Sequence, residues 1–174
     1  MSIESKVLGQ QVAYPTDYCP SILVPVPRSL NREIYDIHTP EELFRGFDTW
    51  HAYEAGFLTR NGLPVCGVLK LVYPANSPCI VESKSLKLYL NSLNMTRLGE
   101  DIPSGIETYL QTVKSDLEQI LQTRIEATFF RQAPEKPYFD FQDYMLLEAM
   151  PGIEQATFTE YSENPALLES RTTG

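Results

Sequence analysis

Apolar residues in the middle of the chain recur with a period close to two, and this pattern predicts two strands. The segment TWHAYEAGFL, from Thr49, is aromatic and alternating, and LPVCGVLKLVY is rich in apolar and β-branched residues. Arg60, Asn61 and Gly62 lie between the two segments, and Asn and Gly both tolerate a positive φ. The sequence therefore predicts a long antiparallel hairpin, followed by a loop at 73–78 that two prolines interrupt.

The period then changes to that of a helix in the segment VESKSLKLYLNSLN. One face of this helix is apolar and comprises Leu86, Tyr89, Leu90 and Leu93. Lysine and asparagine residues occupy a different face. Ser83 is the expected N-cap, because its side-chain oxygen can accept a hydrogen bond from a free N–H of the first turn.

A second helix follows, and its expected start is a capping box formed by Ser104 and Glu107. Alternation then predicts a strand at 124–130, and the apolar segment 144–149 is a candidate for a further strand. The predicted order is strand, strand, helix, helix, strand, strand. Consecutive helices after a hairpin favour an α+β fold, with both helices on one face of an antiparallel sheet. Because the other face or the edges then need covering, we expect an oligomer or a second covalent module.

The regions that flank this pattern differ in composition. Residues 1–47 are rich in proline, and VPVPRSLNRE cannot be helical through its prolines, so we predict an extended N-terminal arm. Residues 48–150 form the predicted module. Residues 151–174 are acidic and weakly periodic and are predicted to be a C-terminal tail or a linker toward a missing catalytic module.

Composition narrows the classes of function. The 174 residues suit one domain, and the net charge of −9 argues against a direct nucleic-acid partner, which would favour a basic surface. The chain shows neither a long apolar run nor a secretory signal, so we expect a cytoplasmic protein without a membrane partner. Cys19, Cys66 and Cys79 lack the spacing of a zinc site or a disulfide framework, and buried or half-buried free thiols are expected.

The segment Glu82–Lys87 carries the chemistry of a possible binding site. A helix N-terminus concentrates free N–H donors, and Lys84 and Lys87 are spaced to flank one anion. The carboxylate of Glu82 suits the two adjacent N–H donors of a guanine-like or pterin-like ring. Charged helix faces are usually only solvated, so this spacing by itself is a weak signal.

The motif ESKSLKLY resembles the signature of the 7-cyano-7-deazaguanine reductases, which use NADPH to reduce a nitrile in queuosine biosynthesis. VPRSLNR at 26–32 and LNSLNMTR at 90–97 resemble the N-terminal half of the long, two-module form, and the resemblance extends from about residue 8 to residue 161. It implies a tunnelling fold (T-fold), whose ββααββ modules form sites at their interfaces. It also implies that Val81, Glu82 and Ser83 contact the substrate 7-cyano-7-deazaguanine, and that Ser83 and Lys84 contact NADPH with support from Lys87.

The chain departs from this family at the catalytic positions. Leu58 lies near the position of the nucleophilic cysteine, and Val65 stands where the family has an aspartate that donates protons. Cys66 is one residue beyond that aspartate position and does not match the nucleophile. The downstream His-Glu pair is also missing from MTRLGEDIPSG. No residue of this chain is therefore assigned to catalysis, and none to a metal.

These departures predict a half-enzyme that holds cofactor and substrate while a cysteine-bearing T-fold module, or a homo-oligomer, completes it. The sequence stops about where a second half should begin, which leaves a truncated chain, a natural split and a stand-alone paralogue all open. Two other functions also remain open. One is a catalytically silent T-fold binding or scaffold subunit, and the other is a T-fold enzyme acting on another purine or a pterin.

Overall fold

The computed structural model describes residues 15–38, 45–132, 144–157, 159 and 161–162. It divides the chain into two compact units, Met1–Pro134 and Glu135–Gly174, which we describe separately. The three predicted regions, 1–47, 48–150 and 151–174, stay predictions, because a compact unit need not coincide with a module defined by its order of strands and helices.

The described residues of the first unit form five strands and three α-helices. In chain order these are β1 Pro25–Pro27, α1 Arg28–Arg32, β2 Phe47–Leu58, β3 Pro64–Pro74, β4 Cys79–Val81, α2 Ser83–Leu93, α3 Ile102–Leu121 and β5 Glu126–Phe130. Short 3₁₀ turns span Pro20–Ile22 and Glu33–Tyr35. One antiparallel sheet has the order β2-β3-β5, and a second pairs β1 with β4. This mixture of helices and antiparallel sheet confirms the α+β class and is consistent with a T-fold.

The hairpin of β2 and β3 confirms the turn predicted from Arg60-Asn61-Gly62. Gly62 has a φ of 86°, which a glycine adopts without strain, and its N–H donates to Thr59 O at 2.8 Å. The two strands do not pair evenly. Ala52 lies opposite Leu69 whereas Ala55 lies opposite Gly67, so β2 carries one extra residue. This β-bulge turns Tyr53 and Glu54 outward.

The hydrophobic core lies between one face of the three-stranded sheet and the helices α2 and α3. The predicted apolar face of α2 is confirmed, since all four of its residues are buried. Tyr109, Val113, Leu117 and Leu121 give α3 a fully buried stripe at helical spacing. Together these helices cover the sheet face that carries Leu69.

Both helices begin at residues other than those predicted. Ser83 is the first helical residue of α2, and its N-cap is Glu82. The predicted capping box of Ser104 and Glu107 is wrong, because Asp101 caps α3 and accepts a hydrogen bond from the N–H of Ser104 at 2.9 Å. The hydroxyl of Ser104 in turn accepts from the N–H of Asp101 at 3.2 Å. Proline tolerates the first turn of a helix, so Pro103 lies inside α3.

The described part of the N-terminal region is extended only in part. β1 is extended and pairs with β4, with Pro25 opposite Val81 and Pro27 opposite Cys79. Helix α1 begins directly after Pro27, where no further proline prevents the helical conformation. Residues 1–14 and 39–44 of the predicted arm lie outside the described residues.

In the second unit, the strand predicted at 144–149 is wrong. Leu147–Ala149 and Ile153–Gln155 are 3₁₀ turns, and the side chains of Tyr144, Met145 and Leu146 are exposed. A strand needs a hydrogen-bonded neighbour, and this segment pairs with no strand among the described residues. An apolar run alone therefore does not specify a strand here.

Candidate functional site

The short sheet of β1 and β4 positions the segment that the sequence singled out. Val81 is 2% exposed, and its N–H donates to the hydroxyl of Tyr73 at 3.4 Å. The N–H of the next residue, Glu82, donates to Val24 O at 3.0 Å. The buried hydroxyl of Ser85 accepts from the N–H of Val24 at 3.1 Å. The chain is therefore held on both sides of the point where β4 ends and α2 begins.

The carboxylate of Glu82 caps α2. Its two oxygens accept hydrogen bonds from the N–H groups of Lys84 at 3.0 Å and Ser85 at 2.6 Å. An anionic cap also interacts favourably with the positive end of the helix dipole. A carboxylate offers about four acceptor positions, so two remain for a ligand. Sequence reasoning assigned the cap to Ser83 and the free acceptor to Glu82, and the structure gives Glu82 the capping role.

The first turn of α2 is open to solvent at Ser83 and Lys87. Ser83 is exposed, and neither its N–H nor its hydroxyl donates a hydrogen bond to any described residue. Lys84 is half-buried. Lys87 is exposed, and its Nζ lies 3.1 Å from the carboxylate of Glu54. The helix start is therefore capped by its own chain but is not sealed from solvent.

Glu54 is a site neighbour that sequence reasoning missed. It lies on β2 at the bulge, which directs its side chain outward, and no local motif signals a bulge at this position. Both members of the Glu54–Lys87 pair are more than half exposed, so the pair orients Lys87 but stabilises the fold little.

The predicted residues do not line the three concave surfaces found among the described residues. Three depressions have volumes of about 560, 480 and 350 Å³, and none of them is lined by Val81, Glu82, Ser83, Lys84 or Lys87. The smallest is lined by Glu54, Cys66 and Asn94 among others and so adjoins the partner of Lys87. Of the predicted set, Ser83 and Lys87 are exposed, whereas Glu82 and Lys84 are half-buried and Val81 is buried.

All three cysteines are free thiols. Cys19 and Cys79 are half-buried as expected, but Cys66 is exposed, which corrects the prediction of a buried or half-buried thiol. Cys66 lies on β3, whose alternate residues point away from the core. Leu58, near the family's cysteine position, ends β2, and Val65, at the aspartate position, is 3% exposed.

Two structural findings concern membranes and metals. No helix among the described residues is long and apolar enough to cross a membrane. Within the same part of the chain, no group of three or more His, Cys, Asp or Glu side chains is placed to hold a metal ion.

Comparison with known proteins identifies the family. The model described as "Nitrile reductase, 7-cyano-7-deazaguanine-reductase N-term" matches residues 14–129. A protein of Acinetobacter baumannii named NADPH-dependent 7-cyano-7-deazaguanine reductase is 38% identical over 172 residues, which cover 97% of this chain and 61% of that protein. A protein of the same name from Coxiella burnetii is 33% identical over 168 residues, covering 96% of this chain and 57% of that protein. The chain thus spans about three fifths of the length of these relatives. The chain belongs to the family of 7-cyano-7-deazaguanine nitrile reductase N-terminal domains.

Proposed function

We propose that this chain is the cofactor-binding and substrate-binding half of a cytoplasmic, NADPH-dependent reductase of queuosine biosynthesis. The reaction reduces the nitrile of 7-cyano-7-deazaguanine to an aminomethyl group. The relatives that share this name match the chain over almost its whole length. The observation that carries the proposal is the start of α2, where the family motif leaves both donors of Ser83 without an acceptor among the described residues.

The residues at this helix start fit a nucleotide and a deazaguanine ring. Glu82 retains two acceptor positions after capping, which suits the paired N–H donors of the ring. Val81 supports Glu82 from the end of β4. Ser83 offers a hydroxyl and a backbone N–H, and the ammonium groups of Lys84 and Lys87 suit the phosphates of NADPH. Glu54 holds Lys87 on this side of the helix.

The proposal assigns the nucleophile to another module. Conversion of a nitrile to an aminomethyl group takes two hydrides and two protons, which two NADPH and the solvent supply when the complete enzyme is assembled. Leu58 and Val65 occupy the positions of the family's cysteine and aspartate, and neither side chain can form a covalent adduct or transfer a proton. A cysteine-bearing T-fold module, or an arrangement of several copies, would complete the site.

A second candidate is a catalytically silent binding or scaffold subunit. It is favoured by the capping bonds of Glu82, which explain this carboxylate without a ligand. The absence of the predicted residues from the three described depressions also favours it.

Titration of the chain with NADPH separates these two candidates. We expect saturable binding that weakens about tenfold in Lys87→Ala, because a hydrogen bond to a charged group contributes about 1.5 to 3 kcal/mol. Ser83→Ala should also weaken binding. Lys114→Ala is the matched control, since Lys114 is an exposed lysine on α3. If the chain does not bind NADPH, the scaffold subunit is the correct candidate.

Turnover tests the missing nucleophile. The chain alone should not oxidise NADPH in the presence of the nitrile, and activity should appear when a cysteine-bearing module is added. Turnover by the chain alone that is lost in Cys66→Ala or Cys79→Ala would contradict the assignment of the nucleophile to a second module. For the substrate, Glu82→Gln is preferable to Glu82→Ala because the amide oxygen still accepts one of the two capping hydrogen bonds of α2. Glu82→Gln should weaken binding of the deazaguanine clearly, while it lowers the melting temperature little.

A further inference from the structure

A concave surface lies at the opposite end of β4 from the proposed site. It has a volume of about 560 Å³ and lies between residues 27–38, which include α1, and the loop that precedes β4. Its polar lining includes Arg28, Ser29, Arg32, His38, Asn76 and Ser77. We propose that this depression binds a phosphate group through the guanidinium groups of Arg28 and Arg32.

The local sequence brings the two arginines together. The N–H of Arg28 donates to Pro78 O at 3.0 Å, which ties the first residue of α1 to the loop before β4. Arg28 and Arg32 are four residues apart in this helix, so their side chains lie on the same face. Both line the depression, and guanidinium groups bind phosphate through paired N–H donors.

Arg28 is held rigidly but is not saturated. Its side chain is 12% exposed and forms an ion pair with Asp48. Its Nε and Nη2 atoms donate to the hydroxyl of Ser77 at 3.2 and 3.1 Å, and that hydroxyl donates to Cys79 O at 2.9 Å. Nη1 has no acceptor among the described residues. A guanidinium fixed in this way loses little conformational entropy when a ligand binds.

Arg32 supplies the second cation. Its Nη2 donates to Ala75 O at 3.2 Å, which places it against the loop that forms the opposite wall. Among the described residues, the lining carries the carboxylate of Glu33 beside the guanidinium groups of Arg28 and Arg32. Asp48 neutralises Arg28 from outside the lining, and His38 is paired with Asp36 at 2.6 Å. The ion pair and the hydroxyl bonds explain why Arg28 is half-buried, but they do not explain the open space beside it.

The phosphate can come from a free anion or from a nucleotide. Cys79 borders the depression and Ser83 belongs to the proposed cofactor site, and a chain of four residues spans at most about 14 Å. A dinucleotide is long enough to reach both places. The phosphate site does not rest on the proposed function, because free inorganic phosphate would satisfy the same donors.

Calorimetric titration with inorganic pyrophosphate tests the site on the full chain. We expect saturable binding that weakens at least about tenfold in Arg32→Gln and is unchanged in Arg60→Gln, an exposed arginine paired with Glu100. Absence of saturation would overturn the site, and so would equal affinity in a folded Arg32→Gln variant.

A second measurement needs no substitution. In the unmodified protein, pyrophosphate should shift the backbone amide resonances of 28–33 and of Asn76, Ser77 and Cys79, and shifts confined to other residues would refute the site. Competition between NADPH and pyrophosphate then distinguishes a nucleotide phosphate from a free anion. Displacement of pyrophosphate by NADPH assigns the site to a phosphate of the nucleotide, whereas simultaneous binding of both assigns it to a free anion.

Discussion

Removal of the hydroxyl group of Tyr109 should stabilise the protein. Tyr109 is fully buried on α3, and its hydroxyl has no hydrogen-bond partner among the described residues. Its ring lies 5.5 Å from the ring of Phe57 and 5.4 Å from that of Phe129, measured between centroids. Burial also raises the pKa of Tyr109, because the apolar core disfavours the charged phenolate.

The expected gain follows from two opposing terms. An unsatisfied buried hydroxyl costs about 1 to 3 kcal/mol, and Tyr109→Phe removes that cost while keeping both ring contacts. The void left by the oxygen offsets about 0.4 kcal/mol, taking roughly 15 Å³ at about 24 cal/mol per Å³. The net effect is an increase in the free energy of unfolding of about 1 kcal/mol, which for a chain of this size raises Tm by about 2 to 4 °C.

Tyr89→Phe is the matched control, because the same chemical change should have the opposite sign. Tyr89 is also fully buried, but its hydroxyl donates to the carboxylate of Asp116 at 2.5 Å. Tyr18 donates to the same oxygen at 2.7 Å and keeps that carboxylate partly satisfied. We expect a loss of about 1.5 kcal/mol, the lower end for a hydrogen bond to a charged group.

Urea denaturation of the two variants and the unmodified protein measures both changes. The midpoint should rise in Tyr109→Phe and fall in Tyr89→Phe, with an unchanged dependence on denaturant concentration. A loss of 1 kcal/mol or more in Tyr109→Phe would refute the reasoning, because it would show that the hydroxyl has a partner in the folded protein.

Three further predictions concern pH, packing and helix capping. Burial, followed by the hydrogen bond to a carboxylate, raises the pKa of Tyr18 from about 10 to about 12, so the folded state holds this proton more tightly than the unfolded state. The free energy of unfolding should therefore fall between pH 10 and pH 12, with full stability below pH 10, as urea midpoints followed alongside tyrosinate absorbance would show. Gly105→Ala would place a Cβ 2.4 Å from a ring atom of Phe57 and should lower the free energy of unfolding by about 1 to 3 kcal/mol, as thermal unfolding would show. Ser115→Ala on the exposed face of α3 should leave that free energy unchanged. Glu82→Ala removes the cap of α2 and should cost about 1 kcal/mol without any ligand, whereas Glu54→Ala, from an exposed ion pair, should change the melting temperature little.

At the start of α2, the sequence predicted part of the candidate site and missed the rest. The motif and the helical period located the helix and the family, because both depend on residues that are neighbours in the chain. The cap was assigned to Ser83 although Glu82 performs it, since either residue type can cap a helix and only the backbone conformation decides. The Glu54–Lys87 pair had no signal in the sequence, because it joins a bulge in β2 to the helix α2, which lies about thirty residues further along the chain.

The sequence by itself determined the hairpin, its turn, the apolar face of α2 and the strand β5. Each of these follows from a local period or from a turn residue that tolerates positive φ, so no distant contact is needed to specify it. Only the tertiary structure decided the pairing of β1 with β4, the bulge between Ala52 and Ala55, and the absence of a strand at 144–149 among the described residues. These features depend on which distant segments meet. A strand of three residues, or an apolar run, is stable only where another strand accepts its hydrogen bonds.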